Sequence, residues 1–272
     1  MSEQSGNNGG DSLGPLAVVT GASSGIGAAT AEALADRGYR TVLMARREER
    51  LRELADRLSE TAPSTALPLD LVDPEAVYTA FSRIVDEHGV PNVLVNAAGY
   101  GHYAAFLDHD TDELHRLMQV NYWAPLQAIR AVLPRMVEEG RGHIFNVSSI
   151  SAKMGPWGHS GYAAAKAALV SLTETLAAEH AETPVRFSCV IPGIVRTEFF
   201  DRPTYARFSD ANQRRAIPPQ RLARAIVRAI DRPRLQIVVP AHYRMVDLMR
   251  WLAYEWTHRL VGRQSRPTGS RT

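Results

Sequence analysis

The sequence predicts an α/β fold: a single doubly wound domain with a mostly parallel sheet of seven strands and helices on both faces. The first observation behind this prediction is that short apolar runs alternate with longer segments of helical periodicity. The second is that the short runs are apolar throughout, which is typical of strands buried on both faces of a parallel sheet. The third is that no internal repeat or shift in composition divides the 272 residues.

The first half of the chain alternates strictly between strand-like and helix-like segments. A short apolar run at 16–20 ends in glycines, and a segment of helical periodicity follows at 26–37. Further strands are predicted at 40–45, 65–69 and 93–95. The helices between them are predicted at 48–60 and 74–88. The second of these begins with a proline, which is favoured in a first helical turn because its missing N–H would have no partner there.

The second half continues the same order. A long helix is predicted at 111–137, with a break or kink near Pro125 and an end near Pro134, because a proline in a helix interior removes a backbone hydrogen bond. The remaining strands are predicted at 143–147, 185–191 and 235–239. The remaining helices are predicted around Tyr162, at 219–230 and at 242–260.

The composition predicts an ordinary globular protein. Apolar residues make up 45% and charged residues 22% of the chain, and the formal net charge is +2. A nucleic-acid binder needs a concentrated basic face, and this charge balance gives no reason to expect one. No nucleic-acid partner is therefore predicted. The lone cysteine, Cys189, lies in an apolar run and is interpreted as a buried core thiol. No clustered set of His, Cys and Asp ligands is present, so no metal site is predicted.

The two ends of the chain differ from the domain between them. Residues 1–14 are rich in Gly, Asn and Ser and lack an apolar signal-peptide core, and they are interpreted as a disordered extension. The domain is predicted at 15–261, followed by a polar and basic tail at 262–272 that is interpreted as disordered. The sequence contains no run of about 18 apolar residues, so no membrane-spanning helix is predicted. The predicted location is the cytoplasm.

The turn between the first strand and the first helix carries Gly21, Gly25 and Gly27. Their spacing, Gly-x-x-x-Gly-x-Gly, permits a tight turn and leaves room for a pyrophosphate against the N–H groups of the helix N-terminus. We therefore predict a dinucleotide site here. The alternative is a glycine-rich turn with no ligand.

The end of the second strand predicts which dinucleotide binds. NAD sites usually carry an acid there for the ribose 2′-hydroxyl, but this chain has Ala45 followed by Arg46 and Arg47. A guanidinium binds a 2′-phosphate in bidentate fashion, whereas a carboxylate repels it. The predicted cofactor is therefore NADP(H), with NAD(H) as the alternative. The two arginines could instead be the solvated basic start of a helix.

Tyr162 and Lys166 stand four residues apart in an alanine-rich segment, so the phenol and the ammonium share one helical face about one turn apart. A nearby ammonium favours the phenolate, so we expect the pKa of Tyr162 to fall from its ordinary value of about 10 toward neutrality. Tyr162 is therefore a candidate proton donor or acceptor. Taken alone, such a pair also arises by chance on helix surfaces.

Other motifs stand in a definite order around this pair. They are the glycine-rich turn Thr20-Gly-Ala-Ser-Ser-Gly-Ile-Gly27, Asp70, Asn96-Ala-Ala-Gly99, Asn121, Ser149 and Pro192-Gly193. With these motifs, residues 16–240 resemble the short-chain dehydrogenase/reductase family, whose Ser…Tyr-x-x-x-Lys arrangement is matched because Ser149 precedes Tyr162 by thirteen residues. The resemblance implies a Rossmann-type fold, an NADP(H)-dependent oxidoreductase acting on a ketone or aldehyde and its alcohol, and a homodimer or homotetramer.

The resemblance also implies roles for four catalytic residues. Tyr162 would protonate the carbonyl oxygen during reduction or deprotonate the alcohol during oxidation. Lys166 would lower the pKa of the tyrosine and bind the nicotinamide ribose, and Ser149 would orient the substrate oxygen by a hydrogen bond. Asn121 would hold a water that links Lys166 to bulk solvent.

For the cofactor, the resemblance places Asp70 at the adenine amino group and Asn96 beside the adenine ribose, with Ile194 and Thr197 at the nicotinamide carboxamide. The full set of predicted cofactor-binding residues is Gly21, Ser23, Ser24, Gly25, Ile26, Gly27, Arg46, Arg47, Asp70, Leu71, Asn96, Ala97, Ala98, Gly99, Tyr162, Lys166, Pro192, Gly193, Ile194 and Thr197. Ser24 departs from the family, because some NADP-preferring members carry a basic residue just before the middle glycine.

Each residue has an ordinary alternative as well. Ser149 could be a strand-end cap, Asn121 a polar group at a helix kink, Asp70 a turn cap and Asn96 a turn residue. The function has alternatives too: a regulator that binds NADP(H) without turnover, an epimerase or dehydratase that uses the cofactor transiently, or an NAD-dependent alcohol dehydrogenase.

Three segments that follow strand ends are predicted to line the substrate cleft, at 100–103, 151–159 and 198–218, the last as a mobile lid. Their apolar residues predict a fairly hydrophobic carbonyl or alcohol substrate, with ordinary loop packing as the alternative. These residues are Met154, Trp157, Phe199, Phe200, Tyr205 and Phe208. His102 and His159 are interpreted as surface or loop histidines rather than catalytic bases.

The last predicted helix carries three aromatic residues among arginines. Trp251, Tyr254 and Trp256 fall within 242–260. The helix is interpreted as a packing helix or a subunit contact, and a basic amphipathic helix on a membrane surface is the alternative.

Overall fold

The computed structural model describes residues 14–201, 203–205 and 216–265. Within them, seven strands form one sheet with the order β3-β2-β1-β4-β5-β6-β7, and every neighbouring pair is parallel. The strands are β1 (Leu16–Thr20), β2 (Arg40–Ala45), β3 (Ser64–Pro68), β4 (Val93–Asn96), β5 (His143–Val147), β6 (Arg186–Pro192) and β7 (Gln236–Val239). The predicted α/β class is confirmed, and the sheet is wholly rather than mostly parallel.

Helices cover both faces of this sheet. They are α1 (Gly25–Ala35), α2 (Glu48–Ser59), α3 (Pro74–His88), α4 (Thr111–Met118), α5 (Ala124–Glu138), α6 (Ser151–Met154), α7 (Ser160–Glu179), α8 (Pro219–Asp231) and α9 (Met245–Ser265). The start of α3 shows how the sequence sets a boundary: Pro74 occupies the first turn, and the Asp73 carboxylate accepts hydrogen bonds from the N–H groups of Glu75 and Ala76 at 2.9 and 3.2 Å.

The core consists of two layers, one on each face of the sheet. Helices α1, α2 and α8 cover one face, where Val19 and Phe145 lie in the same buried cluster as Leu34 of α1. Helices α3 and α5 cover the other face, where Val18 is buried in the same cluster as Phe81 of α3. Val18 and Val19 thus lie on opposite faces, as successive residues of a strand must. This two-sided burial explains why most positions of the central strands are apolar.

The strand order reverses direction at the centre of the sheet. β1 lies between β2 and β4, so the chain winds outward in one direction through β2 and β3 and in the other through β4 to β7. In open parallel sheets, a crevice forms outside the carboxyl ends of the strands at this reversal. The predicted dinucleotide turn at the end of β1 lies at this position.

The long helix predicted at 111–137 is interrupted at a different residue from the one expected. A π-helical turn at Gln119–Trp123 separates α4 from α5. Pro125 lies in the first turn of α5, where it disturbs nothing, and Pro134 lies inside that helix, which continues to Glu138. The predicted break near Pro125 is therefore present, but the proline does not cause it, and the predicted end near Pro134 was wrong.

The C-terminal boundary also differs from the prediction. The last helix extends to Ser265, so residues 262–265 are helical rather than part of a disordered tail. Tertiary hydrogen bonds hold this end, because Ser265 Oγ accepts from the N–H of Trp157 at 2.8 Å and the Ser265 carbonyl accepts from the hydroxyl of Tyr103 at 2.8 Å. The predictions for residues 1–13, 266–272 and most of the lid, including Phe208, lie outside the described residues.

Two further observations complete the architecture. Cys189 is fully buried in β6, as predicted for a core thiol. Among the helices of the described residues, none combines the length and hydropathy required to cross a bilayer.

Candidate active site

A cavity of about 460 Å³ opens at the carboxyl ends of the central strands. It is lined by the glycine-rich turn after β1, by the residues that follow β2, β3 and β4, and by a short segment after β6. Fourteen of the predicted cofactor residues line it: Gly21, Ser23, Ser24, Gly25, Ile26, Gly27, Arg46, Arg47, Asp70, Leu71, Ala97, Ala98, Gly99 and Thr197. Glu113, Arg116 and Val120 of α4 and the π-helical turn also line it, so the topology brings six separate stretches of chain to one crevice.

Two glycines of the turn are required by close backbone approach. Gly21 has a φ of +69°, and a Cβ at this position would lie 2.7 Å from the Cα of Ala98. A Cβ at Gly27 would lie 2.3 Å from the carbonyl oxygen of Gly21. Because real Cβ contacts are never this short, any side chain at either position would push the turn away from α1 or from the chain after β4.

Thr20, at the end of β1, fixes the neighbouring wall of the cavity. Its hydroxyl accepts hydrogen bonds from the N–H groups of Ala97 and Ala98, both at 3.1 Å. This interaction holds the turn after β4 against the glycine-rich turn. No local pattern in the sequence indicates this role, because the two partners lie 77 and 78 residues away.

Arg47 spans the mouth of the cavity. Its guanidinium donates to the hydroxyls of Ser24 and Ser23 at 2.6 and 3.2 Å, and it pairs with the carboxylate of Glu198. Arg50 donates to the second oxygen of that carboxylate at 2.5 Å. The two guanidiniums hold the pKa of Glu198 below its usual range. Sequence reasoning missed both Glu198 and Arg50.

Arg46 is placed differently from its neighbour. Its side chain is exposed, lines the same cavity and makes no hydrogen bond or ion pair with the residues described here. A guanidinium in this state has all its donors available for an anion. The two arginines predicted to act together therefore have different surroundings.

The catalytic candidates on α7 are buried beside the end of β5. Tyr162 and Lys166 are 7% and 3% exposed, and the ammonium of Lys166 lies 5.8 Å from the centre of the Tyr162 ring. Lys166 donates to the carbonyl of Val147 at 2.8 Å. The hydroxyl of Ser149 accepts from the N–H of Ser151 at 3.1 Å. Three residues separated in sequence are thus held in one small region.

The expected effect of Lys166 on Tyr162 is not what the structure gives. Burial raises the pKa of Tyr162 to about 12, and a hydrogen bond with Ser149 offsets only part of this rise. Burial also lowers the pKa of Lys166 to about 8. Loss of hydration is the largest cause of both pKa shifts, which contradicts the prediction that the protein's own lysine brings the pKa of the tyrosine toward neutrality.

Asn121 is presented by the π-helical turn. Its side-chain amide donates to the carbonyls of Leu117 and Tyr100, both at 2.9 Å, and its buried Oδ1 has no hydrogen-bond partner among the described residues. A Cβ added at Gly99 would lie 2.6 Å from this oxygen and 3.1 Å from the Lys166 ammonium. Because Gly99 has no side chain, the Oδ1 of Asn121 and the ammonium of Lys166 both lie close to the space beside its Cα.

A second cavity, of about 640 Å³, lies on the other side of Ser149. Gly193 and Ile194 of the predicted cofactor set line this cavity, together with Met154 and Phe200 from the predicted apolar wall. Tyr243 and Val261 also line it, although the sequence did not place the C-terminal region at the site. The lining is mainly apolar.

The other predicted site residues lie close by, and of these Phe199 lines the first cavity. Asn96 is buried and donates to Asn146 at 2.8 Å, and Pro192 ends β6. Phe199 contacts the ring of Tyr162 with 5.4 Å between ring centres, and Trp157 lies against Tyr103 at 5.3 Å.

The two histidines fit their interpretation as loop residues. His159 is buried, its Nδ1 lies 3.1 Å from the carbonyl of Trp157, and burial lowers its pKa. His102 lies 3.4 Å from a carboxylate oxygen of Glu113. No group of three metal-ligating side chains occurs in the described part of the chain.

Comparison with known proteins gives consistent matches. A family model described as short chain dehydrogenase matches residues 15–205. An uncharacterized oxidoreductase from Staphylococcus saprophyticus is 35% identical over 220 residues, which is 80% of this chain and 92% of that protein.

Solved structures with the same fold also match along most of the chain. A short-chain dehydrogenase from Sphingobium yanoikuyae in complex with NADPH has a TM-score of 0.78 at 30% identity, covering 95% of this chain and 98% of that one. A bulky-bulky ketone specific alcohol dehydrogenase from Comamonas testosteroni has a TM-score of 0.75 at 27% identity, covering 96% and 98%.

Proposed function

The chain belongs to the short-chain dehydrogenase family of oxidoreductases, and from this premise we propose that it interconverts a ketone or aldehyde and the corresponding alcohol with NADP(H). The observation that carries the proposal is that Ser149, Tyr162 and Lys166 lie in one buried region that is in contact with both cavities. Ser149 lines the apolar cavity, and Tyr162 packs against Phe199, which lines the glycine-rich one. A substrate in the first of these and a dinucleotide in the second would both be close to this region.

The first cavity has the features that NADP(H) requires. Gly21, Gly25 and Gly27 line the cavity at the start of α1, and we propose that the backbone N–H groups of this turn bind a pyrophosphate. Arg46 offers a guanidinium that has no partner among the described residues, and the guanidinium of Arg47 donates a hydrogen bond to the hydroxyl of Ser24. Some NADP-preferring members of the family carry a basic residue at the position of Ser24. In this chain Arg47, which follows β2, brings a positive charge to the same place. The Sphingobium relative, 30% identical, is a complex with NADPH.

Tyr162 and Ser149 carry the proton chemistry in this proposal. When bound, the nicotinamide supplies the hydride in reduction or accepts it in oxidation. During reduction the phenol of Tyr162 transfers its proton to the carbonyl oxygen. The hydroxyl of Ser149 already accepts the N–H of Ser151, so its own O–H can donate to the same oxygen. Because burial raises the pKa of Tyr162 to about 12, the phenol is protonated at neutral pH, which is the form that reduction needs.

Lys166 and Asn121 would restore the proton that Tyr162 gives up. The ammonium of Lys166 is fixed by the carbonyl of Val147 and has further N–H donors available. The buried Oδ1 of Asn121 needs a donor, and both groups lie beside Gly99. A water bound to two such groups would connect Lys166 to the outside, in line with the role that the family resemblance implies.

The second cavity supports a hydrophobic substrate. Its wall is formed mainly by side chains such as Met154, Phe200 and Val261, while Ser149 supplies a hydroxyl at one end. A mostly apolar pocket with a few placed polar groups is typical of small-molecule sites. The Comamonas relative, named for bulky-bulky ketones, shares the fold at 27% identity. We propose a ketone with apolar substituents on both sides.

Tyr162→Phe tests the proposal directly. We expect NADPH consumption with a panel of hydrophobic ketones to fall at least about a hundredfold, because the variant has no proton to donate. NADPH binding, followed by fluorescence titration, should be retained. Tyr78→Phe, which removes a phenol oxygen from a half-exposed side chain on α3, is the matched control and should behave as the wild type does.

Two results would contradict this proposal. Turnover that survives Tyr162→Phe would exclude the tyrosine as the proton donor. Tight NADPH binding by the wild type, with no turnover of any carbonyl or alcohol, would favour a regulator that senses the cofactor.

A further inference from the structure

The feature that the proposed function does not use is the carboxylate of Glu198. It belongs to the short turn Glu198–Phe200 that follows β6. One carboxylate oxygen binds Arg47 and the other binds Arg50, across 151 and 148 residues of sequence. A single acid thus engages two of the arginines at the start of α2.

This ion pair lies inside the dinucleotide cavity rather than beside it. Glu198 and Arg47 both line the cavity, together with Arg46, Ser24 and Asp70. Arg47 cannot turn freely toward a ligand, because its other nitrogens are held by the hydroxyls of Ser23 and Ser24. The nitrogen that binds Glu198 is therefore the one that another anion would bind in competition with this carboxylate.

A carboxylate and a phosphate use the same donors of a guanidinium. Both accept parallel N–H groups in bidentate geometry, so an arginine that holds one offers fewer donors to the other. The three side chains are 41%, 45% and 51% exposed, for Arg47, Glu198 and Arg50. Exposed ion pairs of this kind are weak and exchange readily.

We infer that Glu198 is an internal competitor of the cofactor's 2′-phosphate, and that it sets the selectivity between NADPH and NADH below the level that the arginines alone would give. This inference rests on the proposed use of NADP(H). Arg46, which has no partner among the described residues, makes the first contact with the 2′-phosphate. Arg47 and Arg50 then exchange the carboxylate for that phosphate.

The exchange occurs at a segment that also touches the catalytic residues. Thr197, just before Glu198, packs so closely on the glycine-rich turn that a Cβ at Gly25 would lie 2.9 Å from its methyl carbon. Phe199, just after it, packs on the ring of Tyr162. Glu198 therefore links 2′-phosphate recognition to the wall of the catalytic site.

Glu198→Gln tests the inference by binding rather than by activity. The probes for calorimetric titration are adenosine 2′,5′-bisphosphate and adenosine 5′-monophosphate, which differ only by the 2′-phosphate, followed by NADPH and NADH. We expect the variant to bind the bisphosphate and NADPH about three- to tenfold more tightly than the wild type does. Binding of the monophosphate and of NADH should stay within about twofold.

Glu32→Gln is the matched control. Glu32 lies on α1 outside the cavity and pairs with Arg57 of α2 at 2.7 Å, so the substitution removes the same charge from a similar pair. It should change none of the four affinities by more than about twofold.

Three outcomes would overturn the inference. Unchanged or weaker binding of the bisphosphate to Glu198→Gln would mean that Glu198 positions the arginines. An equal gain for NADH and the monophosphate would indicate a general effect of charge. A wild type that does not distinguish the bisphosphate from the monophosphate would remove the NADP(H) preference itself, and the inference with it. The first two results leave that preference standing, so the two failures are distinguishable.

Discussion

At the scale of single residues, burial decides the ionisation of the key groups. The sequence places an ammonium one helical turn from a phenol. In the structure the two groups are close, with 5.8 Å between the Lys166 ammonium and the ring centre of Tyr162. Both groups are nevertheless almost fully buried, and each loses hydration of its charged form. The pKa values therefore shift against charge on either group, to about 12 for the tyrosine and about 8 for the lysine. Burial depends on the whole fold, which explains why local spacing failed to predict it.

His143 gives a residue-scale prediction for stability against pH. It is buried in β5, its Nε2 lies 2.8 Å from the hydroxyl of Ser188, and burial lowers its pKa to about 3. The hydroxyl of Ser188 donates to the carbonyl of Arg234, so it accepts from the imidazole, which is neutral in the folded state. In the unfolded chain the same imidazole has a pKa near 6.5 and binds a proton below that value. The stability that it contributes is therefore complete above pH 6.5 and is lost as the pH falls from 6.5 toward 3.

We expect the wild type to lose about 2 kcal/mol of unfolding free energy through His143 between pH 7.5 and pH 5. Urea unfolding at the two pH values would measure it. His143→Gln should lower the stability at pH 7.5 yet remove about this much of the difference between the two pH values. His115→Gln, at an exposed position on α4, should leave the difference unchanged. An unaltered pH dependence in His143→Gln would mean that other groups cause the acid sensitivity.

At the scale of elements, the strands were predictable and the interruptions were not. The predicted strands agree with the observed ones to within one residue at either end, because strands buried on both faces are mostly apolar. Helix α6 and the turns at Phe106–Asp108 and Pro203–Tyr205 were missed because they are too short for a periodic pattern. The pairing of Glu198 with Arg50 was missed for another reason: partners 148 residues apart leave no local signal.

The π-helical turn shows that the break in the long helix has a different cause from the predicted one. The prediction attributes the break to proline, but Pro125 lies in a first turn, where no hydrogen bond is lost. The irregularity lies instead at Asn121, whose side-chain amide satisfies the carbonyls of Leu117 and Tyr100. A π turn of this kind is frequent at functional sites. Here it directs a buried amide oxygen toward the same place as Lys166.

Asn121→Ala tests this structural role at the level of the element. Removal of the amide leaves two buried carbonyls without this donor, and we expect a loss of about 2 kcal/mol in unfolding free energy. Gln119→Ala, in the same turn, removes a side chain that makes no hydrogen bond among the described residues, and it should cost less than about 0.5 kcal/mol. Chemical denaturation of the two variants provides the comparison. Equal losses would show that the amide of Asn121 does not hold the turn.

At the scale of the whole molecule, the site exists because the sheet reverses at its centre and the C-terminal helix returns to it. The reversal between β1 and β4 creates the dinucleotide cavity. The apolar cavity needs a wall that the sheet cannot provide, and Val261 and Ser265 of α9 supply part of it. Of the proposed catalytic residues, Ser149 lines the apolar cavity and Tyr162 packs against Phe199 of the other one. The sequence could indicate the first cavity from a local motif, but the second depends on where a distant helix docks.

The docking of α9 depends on one nearly buried ammonium, and this leads to the last prediction. Lys153 of α6 is 8% exposed and donates to Gln236 of β7 at 2.9 Å and to Asp247 of α9 at 2.6 Å. Asp247→Asn would leave that ammonium without its counter-charge. Because the carboxylate is about half exposed, water compensates in part, and we expect a loss of about 1–2 kcal/mol in unfolding free energy.

Glu87→Gln removes a carboxylate from the exposed pair with Arg83 on α3 and should cost no more than about 0.5 kcal/mol. Urea unfolding of both variants makes the comparison, and hydrogen exchange of α9 locates the effect. If Asp247→Asn acts through the docking of this helix, exchange should rise in α9 and remain unchanged in α3. Equal stability of the two variants, or exchange in α9 that does not change, would mean that apolar contacts such as those of Val246 and Val261 hold the helix without the ion pair.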